Sequence, residues 1–438
     1  MMPLKLFEWG SERLDSSVKR DEFIRYLAQV WDSRNKYIET EEVTEQDVQV
    51  ENKYKQRFFT FTHGGEIVAR NYVGVVQYEG VRINVYPKIF SAEENPDYKK
   101  YQLNLLYWLS YCRRINFPFL AAELSELDFD DLLELLIYIF ANHTSAILNE
   151  HPFQAYQEVE EETIFMRGRL SVSDYVNRNL STGNWQHFQC VYEPFVYDNL
   201  FNRIVKFVAR KLLQVTEHPV NKDRLEEILF LLNDVSDLPC TAADCKKVKL
   251  NSLFSDLQAV LDMCSLFLSE KVMDVENDDS RNFCFLVPME YVFEDFVFGF
   301  LETHFPLYQF ICQSIDSLAQ VKGRNIFQIR NDIYLKDRLI IDTKYKIRSS
   351  TNDGKAGVSQ SDMYQMTSYA VKRNCKKVIL LYPKTEQQNE SPEFVIDSKR
   401  LNEAITIQPI DINIQISSIN IGVEKLKAEF KALLDNQL

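Results

Sequence analysis

The stretch Arg338-Leu-Ile-Ile-Asp-Thr-Lys-Tyr-Lys, residues 338–346, places an aspartate and two lysines beside a short apolar run. Its alternation predicts a β-strand, in which side chains two residues apart point to the same face. Asp342 and Lys344 therefore share a face, about 7 Å apart along the strand. A charge within an apolar strand is costly unless it has a partner or a task. We therefore predict that this strand carries a functional site inside an α/β domain.

A second apolar run, residues 326–335, precedes this strand across a tight turn and contributes another acid, Asp332. Asp332 and Asp342 lie about equally far from the centre of the turn, so antiparallel pairing would place them side by side. Two close carboxylates repel each other, and a divalent cation such as Mg2+ removes that repulsion. The cation would activate a water, and Lys344 would orient that water or stabilise the transition state, which suffices for phosphodiester hydrolysis. The alternative is a solvated hairpin face with an ordinary ion pair.

Composition limits the setting of such a site. The chain has 438 residues, of which 45% are hydrophobic and 26% charged, so it is a folded protein too long for one core. Two or three domains are expected. The net charge of −14 gives no overall attraction to nucleic acid. A DNA-cutting site would therefore need a locally basic groove or another subunit that holds the substrate.

The sequence also gives an expectation for the compartment. The first residues turn charged too early for a signal peptide, and the richest apolar run, residues 132–140, is shorter than the roughly 20 residues of a membrane helix. The eight cysteines are scattered, and the pair Cys240 and Cys245 alone is a poor zinc signal. We therefore expect a soluble, cytoplasmic protein with no membrane contact.

Periodicity divides the chain into three regions. Residues 1–160 are predicted to be mainly β and then helical, residues 161–280 helical, and residues 281–438 α/β. The N-terminal region has an amphipathic helix over residues 17–33 and a hairpin that turns at Glu79-Gly80. Further helices are predicted over residues 99–114, 124–150, 198–216, 253–275, 288–300 and 360–372, and strands over residues 57–62, 157–165, 326–335, 338–347 and 377–382. The predicted fold class is α+β multidomain.

Short pieces of this sequence are similar to the McrC family, the cleavage subunits of modified-cytosine-dependent McrBC restriction systems. These pieces are Val73-Gly-Val-Val, Ile83-Asn-Val-Tyr-Pro-Lys-Ile, Arg167-Gly-Arg-Leu, Asp198-Asn-Leu-Phe-Asn-Arg-Ile, Met289-Glu-Tyr-Val-Phe-Glu-Asp-Phe-Val, Asn331-Asp-Ile-Tyr-Leu, Ile340-Ile-Asp-Thr-Lys-Tyr-Lys and Asp362-Met-Tyr-Gln-Met-Thr-Ser-Tyr-Ala. They are spread over most of the chain. The resemblance implies that residues 281–438 form an endonuclease domain of the PD-(D/E)xK superfamily.

Residue roles follow from the resemblance. It implies a catalytic set made of Asp332, Asp342, Lys344, Glu294 and Gln365, in which Asp332, Asp342 and Glu294 hold Mg2+. Asn331 stands where the motif usually has proline, which is a mild change because proline there sets the shape of the backbone. From the residues alone, Glu294 could equally be a surface acid of its helix, and Gln365 could bond a neighbouring backbone group.

The resemblance also implies partners. McrC-family proteins work with a GTP-hydrolysing AAA+ ring that recognises DNA carrying modified cytosine, so the N-terminal β region and the helical middle are expected to bind this ring and stimulate its GTPase. No Walker A sequence occurs in the chain, so it is not itself the motor. Arg167 or Arg169 could act on the nucleotide in trans. Because double-strand cleavage needs two active sites, transient dimerisation of nuclease domains is also expected.

Three functions are compatible with the sequence. The leading one is a Mg2+-dependent endonuclease subunit that is nearly silent until its GTPase partner assembles. The second is a stand-alone Mg2+ nuclease or resolvase, which would cut without a partner or nucleotide. The third is an adaptor that activates the ring without catalysis, in which case restriction would survive the loss of Asp342.

Overall fold

The structure is a computed structural model that describes residues 3–14, 19–35, 57–62, 64–113, 129, 131–150, 152–156, 158–250, 255–269, 282–321, 324–348, 354–385, 390–396 and 404–437. The parts of the predicted helices and strands that fall on residues 17–18, 114, 124–128, 130, 157, 253–254 and 270–275 lie outside these residues. Helices and sheets are mixed along the chain, so the predicted α+β fold class is confirmed.

Strands and helices are numbered in chain order. The strands are β1 (Leu4–Phe7), β2 (Ser11–Arg13), β3 (Phe59–Phe61), β4 (Glu66–Ala69), β5 (Tyr72–Tyr78), β6 (Val81–Tyr86), β7 (Ala155–Tyr156), β8 (Val159–Thr163), β9 (Arg169–Leu170), β10 (Phe188–Tyr192), β11 (Phe195–Val196), β12 (Phe283–Pro288), β13 (Ile311–Val321), β14 (Arg324–Leu335), β15 (Leu339–Thr343), β16 (Lys377–Pro383), β17 (Phe394–Ile396) and β18 (Ile405–Ile412). The helices are α1 (Arg20–Asn35), α2 (Tyr98–Leu109), α3 (Leu132–Glu150), α4 (Val172–Asp174), α5 (Leu200–Val215), α6 (Pro219–Leu231), α7 (Ala242–Cys245), α8 (Ser255–Phe267), α9 (Met289–His304), α10 (Gln360–Arg373) and α11 (Ile419–Gln437).

The chain forms two compact units. The first combines Met1–Leu132 with Phe283–Leu438, and the second is Leu133–Asn282. These units divide the chain differently from the three predicted regions. The reason lies in β12, an apolar strand that is buried along nearly its whole length and pairs antiparallel with β5. Residues from the predicted C-terminal domain thereby complete the N-terminal sheet.

The N-terminal sheet of the first unit has the strand order β1-β6-β5-β12. The predicted hairpin is confirmed, because β5 and β6 pair antiparallel around Glu79 and Gly80, which both have positive φ. Gly74 in β5 has a φ of +131°, and a Cβ there would lie 2.0 Å from the carbonyl oxygen of Phe285 in β12. Glycine is therefore required for this close pairing. The predicted apolar face of α1 is buried in the same core and consists of Phe23, Leu27, Val30 and Trp31.

A larger sheet in the first unit has the order β13-β14-β15-β16-β18-β17. β14 and β15 are antiparallel, whereas β15, β16 and β18 run parallel. The predicted helices and strands of this region are observed as α9, β14, β15, α10 and β16. β12, β13, β17, β18 and α11 were not predicted. β18 was missed because Pro409 interrupts its alternation and proline argues against a strand inside a sheet.

The second unit is mainly helical, as predicted for the middle of the chain. It also contains small sheets with the orders β8-β10-β9 and β11-β7. Within its core, the ring of Phe140 on α3 packs against that of Phe267 on α8, with centroids 5.7 Å apart. Among the described residues, α3 alone is long and apolar enough to cross a membrane, but 67% of its apolar window is buried inside the protein, as in an ordinary core helix.

Candidate active site

Asp332 and Asp342 lie on the adjacent strands β14 and β15. The antiparallel register pairs Ile333 with Ile341, and each aspartate is the next residue beyond that pair. The predicted alignment of the two acids across the turn is therefore observed. Asp342 is buried, with 2% of its surface exposed. Asp332 is half-buried. Two acids this close, one of them buried, lower the stability of the fold unless other groups compensate their charge.

Thr343 holds the carboxylate of Asp332. Its backbone N–H and its hydroxyl both donate to Oδ2 of Asp332, each at 2.8 Å. Burial raises the pKa of Asp332 well above its usual range, and the charges of Asp342 and Glu294 raise it further, while the bond from Thr343 opposes the rise. Burial is also the main cause that raises the pKa of Asp342. The pair therefore forms an acidic centre at the end of β15.

Lys344 is the nearest cation to this centre in the described part of the chain. Its Nζ lies 2.6 Å from Oδ2 of Asp342, and its backbone N–H donates to the carbonyl oxygen of Leu381 at 2.8 Å. Burial lowers the pKa of Lys344, but the nearby carboxylates, Asp342 first among them, outweigh burial and raise the pKa above its usual value. Lys344 therefore provides a fixed positive charge at neutral pH rather than a base.

The structure also brings Gln365 and Glu294 to the centre. Oε1 of Gln365 accepts a long hydrogen bond of 3.5 Å from Nζ of Lys344, and Nε2 of Gln365 donates to the hydroxyl of Tyr369 at 2.8 Å. Glu294, on α9, accepts from Nε2 of Gln313 at 3.0 Å. Its charge raises the pKa of both aspartates. The placement of both residues agrees with the prediction, while their roles in catalysis stay predictions.

Two charged residues of the site were not predicted. Nζ of Lys346 lies 3.0 Å from Oδ2 of Asp362, whose other carboxylate oxygen is 4.0 Å from Nζ of Lys344. Burial raises the pKa of Asp362, but the hydrogen bond from Ser359 and the charge of Lys346 outweigh it, and the pKa is lowered. The alternation that placed Asp342 and Lys344 on one face extends to Lys346, so the sequence did carry a signal for that lysine.

Asn331, which stands where proline was expected, is held by a helix. It is fully buried, and its Oδ1 accepts from Nε of Arg373 on α10 at 3.0 Å. Arg373 also donates to the carbonyl oxygen of Ser314 on β13 at 2.9 Å. Side-chain hydrogen bonds thus anchor the residue before Asp332, where proline would constrain the backbone directly.

The donor set fits a hard divalent cation. Asp332, Asp342 and Asp362 interact electrostatically with the ammonium of Lys344, Asp362 also with that of Lys346, and the charge of Glu294 acts on both Asp332 and Asp342. Four carboxylates against two ammonium groups leave a formal excess of negative charge. Within the described ranges, no three His, Cys, Asp or Glu side chains are grouped closely enough to hold a metal by themselves. Mg2+ commonly binds through one or two carboxylates and completes its shell with water and phosphate oxygens. Asp332 and Asp342 suit that mode, and the three-ligand set that includes Glu294 stays a prediction.

A second buried charge lies near the site. Glu8, which is 3% exposed, accepts at Oε2 from the hydroxyl of Tyr345 at 2.9 Å and from the backbone N–H of Lys88 at 3.0 Å. Burial raises the pKa of Glu8 to about 7, a rise that Lys88 and Tyr345 oppose and Glu290 supports. Glu8 is therefore partly protonated near neutral pH.

Replacing Glu8 with Gln is expected to flatten the dependence of stability on pH. Because the pKa of Glu8 is about 7 in the folded state against 4.5 as the usual value, the folded state binds the extra proton, and the free energy of unfolding falls as pH rises between these values. The complete shift corresponds to about 3 kcal/mol. The unfolding midpoint of Glu8→Gln should match wild type near pH 5 and exceed it near pH 8. Glu94→Gln, at an exposed glutamate, is the control, and parallel pH profiles for wild type and Glu8→Gln would contradict the expectation.

Comparison with known proteins identifies a family that this chain matches. A family model described as "McrBC 5-methylcytosine restriction system component" matches residues 67–383. A chain in the "Refined half-complex from tetradecameric assembly of Thermococcus gammatolerans McrB AAA+ hexamers with bound McrC" is similar with a TM-score of 0.71 and 17% identity, covering 99% of this chain and 100% of that one. No curated protein matches the chain.

A second solved structure is also similar. A chain in the "Cryo-EM structure of the Thermococcus gammatolerans McrBC complex" has a TM-score of 0.51 and 20% identity, and the match covers 69% of this chain and 88% of that one. At these identities the two structures show a common fold. The family model spans well over half of the chain. The chain therefore belongs to the McrBC family of 5-methylcytosine restriction system components, and the resemblance to McrC seen in its sequence is confirmed.

Proposed function

We propose that this chain is the Mg2+-dependent DNA endonuclease subunit of a GTP-dependent restriction complex that acts on DNA carrying modified cytosine. The observation that carries the proposal is the adjacent pair of half-buried Asp332 and buried Asp342, with the ammonium of Lys344 beside Asp342. This arrangement has the acids and the cation that the PD-(D/E)xK chemistry needs. Family membership supports the restriction role.

Each side chain of the site has a task in phosphodiester hydrolysis. Asp332 and Asp342 would hold Mg2+, which supplies positive charge against the charge that develops on the phosphate. Thr343 fixes the carboxylate of Asp332 through two hydrogen bonds. Lys344 presents its ammonium to the scissile phosphate or to the attacking water. Gln365 limits the positions that the ammonium can adopt.

The same proposal includes an AAA+ GTPase partner that this chain binds and stimulates. One similar solved structure is an assembly of McrB AAA+ hexamers with bound McrC, and the other is a McrBC complex. In the second unit, large apolar side chains are exposed around the β8-β10-β9 sheet, and an exposed apolar patch is typical of a protein-binding surface. They are Ile164, Phe165, Met166 and Trp185, which are 66%, 74%, 63% and 65% exposed. We propose that this patch, named the apolar patch, binds the ring.

Dimerisation of the nuclease domains remains part of the proposal. The edge strand β13 and its neighbour β14 expose apolar side chains of Ile315, Leu318 and Phe327. An unpaired strand edge with apolar side chains favours association with a second chain. Pairing there would bring together the two active sites that a double-strand break requires.

Reconstitution with the AAA+ GTPase tests the function. We expect the chain to cut plasmid carrying 5-methylcytosine when the ring, GTP and Mg2+ are all present, and to lose cutting when EDTA removes the cation. Unmethylated plasmid is the control. Cutting without ring or GTP would favour a stand-alone nuclease. Stimulated GTP hydrolysis without any cutting would favour an adaptor and contradict the endonuclease proposal.

A further inference from the structure

Tyr345 directly follows Lys344 and is fixed at two points. Its hydroxyl donates to Oε2 of Glu8 at 2.9 Å, and its carbonyl oxygen accepts from Nζ of Lys88 at 3.0 Å. The ammonium of Lys88 also lies over the Tyr345 ring, 4.5 Å from its centroid. Tyr345 is 3% exposed. Both the side chain and the backbone of this residue are therefore held in place just beyond the proposed catalytic lysine.

The groups that hold Tyr345 belong to the N-terminal sheet. Glu8 follows β1 and Lys88 follows β6, and these two strands are parallel neighbours. The backbone N–H of Lys88 donates to Glu8 at 3.0 Å, and that of Glu8 donates to the carbonyl oxygen of Tyr86 at 2.9 Å. The sheet thus fixes Glu8 and Lys88 themselves. Through their contacts with Tyr345 they can restrict the movement of the residues that follow β15.

Tyr345 also contacts the other side of the site. Its ring packs against that of Phe293 with centroids 5.9 Å apart. Phe293 is the residue before Glu294 on α9. The buried Tyr345, the chain neighbour of Lys344, therefore contacts Phe293, the chain neighbour of Glu294. Lys344 and Glu294 approach the acidic pair from different elements.

The cost of this arrangement argues for a purpose. Oε1 of Glu8 is buried and has no hydrogen-bond partner among the residues that the structure describes. An unsatisfied buried carboxylate oxygen costs folding free energy. Proteins usually retain such local costs at functional sites, where position matters more than stability.

We propose that Glu8, Lys88 and Tyr345 form a strut, the Tyr345 strut, that positions Lys344 and Glu294 for cleavage and ties their geometry to the N-terminal sheet. They are positioning residues and touch no reacting atom. This inference rests on the proposed endonuclease function. Misplacement of a catalytic group by about 1 Å can lower the reaction rate by about a hundredfold. A small shift of the residues at the end of β15 would therefore lower the rate of cleavage.

The test compares Lys88→Met and Glu8→Ala with wild type in the reconstituted complex. We expect kcat for cleavage to fall by about tenfold or more while KM for plasmid and stimulated GTP hydrolysis stay within about twofold. Glu8→Gln keeps the accepting oxygen and should restore kcat to near the wild-type value. The matched control is Lys100→Met, because Lys100 pairs with Glu93 in the same part of the chain and is not part of the strut.

Hydrogen exchange provides a readout that does not depend on activity. In Lys88→Met, amides of residues 343–346 should exchange about tenfold faster than in Lys100→Met, while those of residues 339–341 stay unchanged. Tyr345→Phe is a milder second variant if Glu8→Ala does not fold. Unchanged exchange in residues 343–346 would overturn the strut. If the wild-type complex cleaves plasmid and the kcat of Lys88→Met and Glu8→Ala is unchanged, the strut is also overturned. If the wild-type complex does not cleave, only the proposed function is contradicted.

Discussion

Asp342→Asn should reduce the cleavage of methylated plasmid by about a thousandfold or more, because the site loses one of the two carboxylates proposed to hold Mg2+, the ion that offsets the negative charge of the transition state. Stimulation of GTP hydrolysis by the AAA+ partner should stay within about twofold of wild type, since the proposed ring-binding surface lies in the other compact unit. The measurement is a side-by-side assay of plasmid cleavage and GTP hydrolysis with the reconstituted complex.

The structure indicates that this variant will fold. Asparagine has nearly the shape of aspartate, and burial already raises the pKa of Asp342, so removing its charge relieves a desolvation cost. Lys344 loses the partner that lies 2.6 Å away but keeps Gln365. Asp337→Asn, in the exposed turn between the same strands, is the matched control. If Asp342→Asn cut as well as wild type, the acidic pair would be a coincidence of two strands and the adaptor function would take its place.

Charged substitutions in the apolar patch should weaken ring binding, unlike Asp342→Asn, which should reduce cleavage and leave the stimulation of GTP hydrolysis intact. The double variant Phe165→Asp and Met166→Asp should weaken binding to the AAA+ ring by about a hundredfold or more, because large apolar anchors supply most of the affinity of a protein interface. Stimulated GTP hydrolysis and plasmid cleavage should then fall together at limiting ring concentration. Titration of the ring against the labelled chain gives the affinity.

This second prediction has its own control. Leu307 is 94% exposed but lies in the first unit, so Leu307→Asp introduces a negative charge at an exposed apolar side chain outside the apolar patch. Its affinity for the ring should match wild type. Normal ring binding by the Phe165/Met166 variant would show that another surface docks, and would leave the assignment of the acidic pair untouched.

The predictable part of the site depends only on residues that are close together in the sequence. The alternation around Asp342 and Lys344 and the short turn after Asp332 are properties of neighbouring residues, and both were observed. Hairpins and amphipathic helices are predictable for the same reason. β18 was missed because Pro409 contradicts the local rule, although the strand pairs in parallel with β16 along its length.

The rest of the site depends on contacts between distant residues. Tyr345 meets Glu8 across a separation of 337 positions, and nothing in either local pattern indicates the other. Asp362 was quoted in the resemblance, but its ion pairs with Lys344 and Lys346, which show that it belongs to the charged cluster, are visible only in the structure. The tertiary fold brings such partners together, and the local pattern around either residue does not reveal the contact.

The pairing of β5 with β12 has a consequence for synthesis on the ribosome. The edge of β5 must wait for Phe283–Pro288, which follow the whole second unit in the chain. At the usual rate of translation this wait lasts roughly 10 to 40 s, during which an apolar strand edge is open to wrong pairing. The proposed nuclease strands emerge later still. A nascent chain therefore finishes the unit proposed to bind the ring before it acquires the residues proposed to cut DNA.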